Sequence, residues 1–230
     1  MTITKFTIFG ERNSGTKYLQ QMMLHNFDLK LTWQYGGKHW YIKDHHPRGR
    51  ANIATDALDQ TSIQNSSDTL VIFIVRNPID WLRSMHNKPY HAENVAADFS
   101  EFIRRLWISS WRVDFGRVKA PVCYDQTFED QVVVPTDFIE EAENICVLRN
   151  MKNKHFLGLG DVCKNFHIIR QETLREDLEE LSLKFKLGVS PIELFQYSIP
   201  KSYPAVSSQD LKFIRESLDL NIEKQLGYKI

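Results

Sequence analysis

The chain has 230 residues, 42% hydrophobic, 12% aromatic and 25% charged, the balance of an ordinary globular domain with enough apolar material to bury a core. Lys plus Arg number 29 against 29 Asp plus Glu, a formal net charge of zero, which excludes the global basic field of a general nucleic-acid coat and leaves room only for a local basic site. No apolar run approaches the roughly 18 residues that span a bilayer, and Met1 to Phe9 reads as a strand without the charged head of a secretory signal, so the expected compartment is the reducing cytoplasm.

In chain order, Thr4 to Phe9 is a β-branched and aromatic run closed by Gly10. Thr16 to Asn26 follows with Tyr18, Leu19, Met22 and Met23 at helical spacing, giving strand, turn, helix. Leu70 to Val75 is continuously apolar, the pattern of a strand buried on both faces of a parallel sheet. Asp98 to Phe115 reads as one long amphipathic helix through Phe99, Phe102, Ile103, Leu106 and Trp107, with Asp98 as its N-cap. Trp107 and Trp111 are then core residues.

Lys119 to Thr136 lacks periodicity and reads as a long excursion, a surface loop or a substrate-facing lid. Ile145 to Leu148 and His167 to Ile169 suit two interior strands. Thr173 to Glu176 has capping-box spacing ahead of a helix carrying Leu174, Leu178, Leu181 and Phe185 and stopped by Gly188. Pro200 to Pro204 is an irregular connection. Ser207 to Asp210 caps a final helix with Leu211, Ile214, Leu218, Ile222 and Leu226 as its buried stripe before Gly227.

Strands alternating with helices predict an α/β fold with a mainly parallel sheet and one core. The cysteines, Cys123, Cys146 and Cys163, are odd in number and widely spaced, against a disulfide framework or a four-cysteine zinc site; they read as buried apolar residues.

Ligands of open α/β sheets bind outside the carboxyl ends of the strands, so the residue after each strand carries information. Arg76 follows LVIFIV, Arg149 follows ICVL and Arg170 follows HII, a row of guanidinium groups that suits a polyanion; Glu172 is placed to neutralise part of Arg170. The first strand supplies the complement: Gly10 to Thr16 is a short loop opening a helix, whose amides and macrodipole cradle an anion. The geometry is P-loop-like but not Walker A, because Thr16 stands where the lysine belongs and Lys17 comes one place late. Nor does the LVIFIV strand lead to a magnesium-holding acid; it leads to Arg76.

These segments resemble the sulfotransferases that use 3′-phosphoadenosine 5′-phosphosulfate (PAPS). Glu11-Arg-Asn-Ser-Gly-Thr-Lys-Tyr18 is similar to that family's 5′-phosphosulfate loop, (K/R)-S-G-T-T-(W/L). Val75-Arg-Asn-Pro-Ile-Asp-Trp-Leu-Arg-Ser84 resembles its 3′-phosphate motif, an Arg at a strand end and a Ser eight residues later on the next helix. Pro78 is a good early helical residue, and two turns on Ser84 can face the same phosphate. Ile169 to Leu174 is similar to the strand segment V-R-Y-E-D-L, and Glu223 to Tyr228 to the ending E-x-x-L-G-Y, so the likeness covers most of the chain and is closest to compact bacterial-type members.

The resemblance implies a P-loop-NTPase-like three-layer fold over residues 1–230 and PAPS as co-substrate without a metal. Arg12, Asn13, Ser14, Gly15, Thr16 and Lys17 would line the 5′-phosphosulfate site, with Arg76 and Ser84 at the 3′-phosphate and Tyr18 stacked on adenine. The slot where many members carry a lysine at the bridging oxygen is Asn13 here, leaving Arg12 or Lys17 to substitute. The R-K-G clamp of larger members has no match.

Transfer to a hydroxyl or amine needs a base near neutral pKa, which makes histidine the natural candidate. The segment Gly37 to Pro47 offers two: Lys38-His39-Trp40 is similar to a K-H-(W/G) segment of compact members, and Lys43-Asp44-His45 to the K-x-H of larger ones. Either His39, with Lys38 beside it, or His45 is the base. A zinc site from His39, Asp44, His45 and His46 is disfavoured, since adjacent histidines rarely share one metal. His86 and His91 either line the acceptor pocket or lie on a polar surface loop. Lys152, Lys154 and His155 read as a solvated basic face or a further anion contact.

The expected function is sulfuryl transfer from PAPS to a small-molecule or saccharide acceptor, with no nucleic-acid partner and no membrane span. The rivals are a small-molecule or nucleotide kinase and a nucleotide-binding protein without chemistry.

Overall fold

The computed structural model describes residues 2–32, 39, 66–89, 92, 96–110, 139–188, 191–194 and 203–230. Lys38, Asp44, His45, His46, His91, Trp111, Cys123 and the 119–136 excursion lie outside them. The chain begins with β1 (Lys5–Phe9), α1 (Thr16–Asn26) and a two-residue β2 (Lys30–Leu31) that the sequence pattern does not announce. β3 (Thr69–Val75) follows, then α2 (Pro78–Asn87) and α3 (Phe99–Arg104). Next come β4 (Trp107–Ser110), β5 (Ile139–Ala142), α4 (Ile145–Val162) and β6 (Phe166–Arg170). A 3₁₀ turn (Gln171–Thr173) leads into α5 (Leu174–Phe185), and α6 (Ser208–Ser217) and α7 (Leu220–Gln225) close the chain.

The main sheet has the order β2-β1-β3-β6, and every pairing in it is parallel. β1 and β3 run in register from Lys5 opposite Thr69 to Phe9 opposite Phe73. Because side chains alternate across a strand, Phe6, Ile8, Leu70, Ile72 and Ile74 pack with Leu19, Met22 and Met23 of α1 and with Leu174, Leu178 and Leu181 of α5. Phe9, Val71, Phe73 and Val75 pack instead with Phe156 and Leu159 of α4 and Ile222 of α7. Helices therefore cover both faces, which is why all seven residues of β3 are buried and why the run carries no polar alternation. Each large apolar side chain so buried contributes about 1.5–3 kcal/mol.

A further cluster unites α2, α3 and α6 with the antiparallel β4–β5 pair through Trp81, Leu82, Met85, Phe102, Trp107 and Ile214. The expected core role of Trp107 holds, as do the buried Cys146 and Cys163. Burial pushes the Cys146 thiol up to about 12 and the Cys163 thiol up to about 11. Among the described residues, no helix is long and apolar enough to cross a membrane.

Several elements differ from expectation. Ile145 to Leu148 is the first turn of α4, not a strand: the Asn144 side chain accepts from the amides of Cys146 at 2.9 Å and Val147 at 3.1 Å, the signature of a helix N-cap. The single helix expected from Asp98 stops at Arg104. Asp98 does cap it, accepting from the Glu101 amide at 3.0 Å, but Arg105 is extended and Trp107 and Ile108 pair with Ala142 and Glu141 as strand.

Thr173 is the N-cap residue of α5 but its side chain makes no cap bond; its hydroxyl donates to Asp177 at 3.0 Å, and the helix ends at left-handed Lys186, two residues before Gly188. Ser207 accepts from the Asp210 amide as expected, yet the final helix breaks at Leu218, and Asp219 starts α7 by accepting from Asn221 and Ile222. Leu211 is left exposed.

Candidate functional site

The carboxyl ends of β1 and β3 meet at Gly10. A Cβ there would lie 2.5 Å from the Ile74 carbonyl oxygen and 2.8 Å from Ile74 Cγ2, so only glycine allows the two strands to run this close as the loop departs. The loop turns through Asn13 (φ 62°) and Gly15 (φ 92°), both left-handed. Ser14 N–H donates to the Glu11 carbonyl at 3.2 Å, and the first bond of α1 runs from Leu19 N–H to the Gly15 carbonyl at 2.9 Å. Gly15 is the N-cap, no side chain caps the helix and no acid lies in its first turn. The amides that open α1 thus have no side-chain cap, an arrangement chemically suited to an anion.

α2 is bound to this loop at several points. Trp81 Nε1–H donates to the Arg12 carbonyl at 2.8 Å. Asn13 Nδ2–H donates to the Ser84 carbonyl at 3.2 Å, to the Lys88 carbonyl at 2.9 Å and toward Met85 Sδ at 3.1 Å. In return Arg76 Nη1–H donates to the Asn13 carbonyl at 3.3 Å. The structure therefore brings the Glu11–Tyr18 loop together with the Arg76–Ser84 segment.

Beneath the loop lies a buried charged cluster. Glu11 is nearly inaccessible and accepts from Arg12 at both the backbone N–H (2.6 Å) and Nε–H (2.7 Å). Burial alone would push its carboxyl up, but the charges of Arg12, Lys152 and His39 and the Arg12 hydrogen bond hold it down to about 2. Arg12 also stacks over Trp107 at 5.8 Å. Lys152, wholly buried on α4, lies 3.7 Å from Glu11 Oε2 and donates to the His39 carbonyl at 2.6 Å. His39 Nδ1 is 2.6 Å from the Gly10 carbonyl oxygen. A carbonyl only accepts, so the proton of this bond is carried by Nδ1.

Compared with protein-family models, curated proteins and solved structures, the chain matches none of them.

The expected row of strand-end arginines does not form. Arg149 sits inside α4 and is spent on Glu223, with bonds of 2.6 and 2.9 Å; its Nη2–H also donates to the Arg76 carbonyl at 3.0 Å. Arg170 is held by Asp177 through its backbone N–H (2.7 Å) and Nη2–H (3.0 Å), rather than by Glu172. Glu172 instead accepts from the Asn77 amide at 2.7 Å and the Tyr228 hydroxyl at 2.9 Å. Of the three, Arg76 alone has its guanidinium on the loop.

Ser14 and Thr16 are buried in the turn, Lys17 is exposed on α1 and Tyr18 is half-buried against the core. His86 is engaged with the Ala97 carbonyl at 3.1 Å and the rings of Phe99 and Phe102. In the basic run, Lys154 is exposed as expected of a solvated face but Lys152 is not. The sequence names Lys152 but not its burial, for which the local signal is its i−4 relation to Leu148 and i+4 relation to Phe156 on a buried stripe. Gln171 escapes the sequence reading altogether: its amide faces Gly15, about where a Cβ would meet it at 3.4–3.5 Å, and its Oε1 is buried and unpaired. Among the described residues no cluster of His, Cys, Asp and Glu is placed to hold a metal ion.

Proposed function

We propose that this protein is a cytoplasmic sulfotransferase on a P-loop-NTPase-like three-layer scaffold, moving the sulfuryl group of PAPS to the hydroxyl or amine of a small-molecule or saccharide acceptor. The observation that carries this reading is the pair of bonds made by Asn13, which accepts from Arg76 at 3.3 Å and donates to the Ser84 carbonyl at 3.2 Å. The two segments that resemble the family's phosphate motifs are neighbours across one strand end. The uncapped amides of α1 suit one phosphoryl-type group, and the remaining donors of Arg76 suit the other.

The chemistry required of the residues is modest. His39 Nε2 takes the acceptor proton as the acceptor oxygen or nitrogen bonds to sulfur and the bond from sulfur to the bridging oxygen breaks. The Gly10 carbonyl fixes the ring through Nδ1–H. The amides of Gly15 to Lys17 face the charge that develops on the departing phosphate. PAPS supplies the activated sulfuryl group when bound.

A second reading is favoured by the fate of the cations. Arg12 is consumed by Glu11 and Trp107, and Lys17 is exposed on α1, so the role of the family's loop lysine has no direct heir; a nucleotide-binding protein without chemistry fits that arrangement. A kinase fits less well, since Thr16 and Arg76 occupy the places of the Walker lysine and acid.

Calorimetry with adenosine 3′,5′-bisphosphate, with and without magnesium, tests the ligand class: binding indifferent to magnesium is expected, and magnesium-dependent ATP binding without bisphosphate binding overturns it. Turnover of a labelled sulfate donor against saccharides, phenols, lipids and peptides then separates enzyme from binder.

A further inference from the structure

Asn13 stands at the centre of the loop, yet its side chain does not face the turn that would hold an anion. The amide is directed onto the last turn of α2, where Ser84, Met85 and Lys88 offer it two carbonyls and a thioether at 2.9–3.2 Å. Its carbonyl is the acceptor for Arg76. The first half of α2 has its own attachment, the Trp81 bond to the Arg12 carbonyl; among the described residues the hydrogen bonds from the loop to the second half come from Asn13. The backbone at Asn13 is left-handed with φ 62°, a conformation that asparagine accepts more readily than most residues.

We propose that Asn13 is a positioning residue that sets the separation of the two anion subsites, acting as a ruler that selects ligands with two acidic groups at the adenosine 3′,5′-bisphosphate spacing. This deepens the reading given under Proposed function and rests on it. One residue fixes both ends: its carbonyl orients the Arg76 guanidinium, and its amide holds the turn of α2 that carries Ser84. Loss of the amide frees that turn without touching the amides at the start of α1. Recognition of the second acidic group is therefore the property that fails, while recognition of the first persists.

The test is calorimetry on the wild type, Asn13→Gly and Asn13→Ala with adenosine 3′,5′-bisphosphate and adenosine 5′-monophosphate, with thermal melts as the check on folding. Glycine keeps the left-handed turn and removes the amide; alanine removes the amide and strains the turn, so agreement between them isolates the side-chain bonds. The wild type is expected to prefer the bisphosphate by about thirtyfold, and both variants to lose about tenfold of that preference. Affinity of Asn13→Gly for the monophosphate should fall markedly less than its affinity for the bisphosphate.

Equal weakening toward both ligands, or a wild-type preference that survives in Asn13→Gly, overturns the ruler and leaves the bisphosphate reading standing. A wild-type preference near unity overturns the bisphosphate reading and the ruler with it. If Asn13→Ala does not fold, the glycine variant alone decides.

Discussion

Arg149 of α4 and Glu223 of α7 form a two-point ion pair, Nε to Oε1 at 2.6 Å and Nη2 to Oε2 at 2.9 Å, with both side chains almost wholly removed from water. The guanidinium is further boxed by the rings of Trp81 at 5.3 Å and Tyr228 at 6.0 Å, and Nη2 also reaches the carbonyl of Arg76. The pair thus links a peripheral helix to the strand end where Arg76 meets the Glu11–Tyr18 loop.

Removing one partner leaves the other charge buried and unpaired. Glu223→Ala should cost about 3–5 kcal/mol of stability in urea unfolding. The double replacement Arg149→Met with Glu223→Leu should be much nearer to neutral, because it removes both desolvation penalties together. A double variant as unstable as the single one would contradict this account.

Glu11 predicts an acid limit. Its carboxyl is held down to about 2 in the folded chain against an ordinary value of 4.5, so the folded state binds fewer protons than the unfolded state between those values. Its contribution is complete above about 4.5 and is lost as pH falls toward about 2. Glu11→Gln should flatten the fall of stability across that interval, measured by urea unfolding at a series of pH values, and should lower stability at neutral pH by leaving Lys152 without its carboxylate.

Gly10→Ala is expected to destabilise the fold by about 1–3 kcal/mol or more, because the new methyl meets backbone of β3 rather than a yielding side chain. Gly158, where a Cβ would meet nothing within 4 Å, is a control: helical alanine there should be neutral to stabilising by about 1 kcal/mol. Paired thermal melts check both.

His39→Ala should lower the turnover number about 10²–10⁴-fold if His39 Nε2 is the base. Bisphosphate affinity should change by less than about threefold. Loss of affinity in parallel with turnover would mark His39 as a structural tie between Gly10 and Lys152 rather than as a base.

What the sequence discloses follows the range of the forces involved. β3 is legible because burial on both faces leaves an unbroken apolar run, and the caps at Asp98 and Ser207 are legible because each acts within three residues. Ile145 to Leu148 misleads for the same reason: four apolar residues fit either period, and the decision lies with Asn144 before them and with Phe156 and Leu159 after. Trp107 likewise fits a helical stripe until β5, about thirty residues on, offers it a partner strand.

At the site, the loop and the Arg76–Ser84 segment are visible as local patterns. The burial of Lys152 is not, because the partners that make it tolerable, Glu11 and the His39 carbonyl, are more than a hundred residues earlier. Separations of 74 and 56 residues likewise hide the capture of Arg149 by Glu223 and of Glu172 by Tyr228.

The parallel pairing of Lys5 with Thr69 and of Val71 with Phe166 also has a bearing on biosynthesis. At about 5–20 residues per second on the ribosome, several seconds separate the emergence of the Gly10 loop from that of the strand it leans on, and more pass before β6 completes the array. During that interval β1 lacks the partner strand β3 and offers an unmatched apolar edge, so chaperone demand should be greatest for chains stalled between the first and third strands.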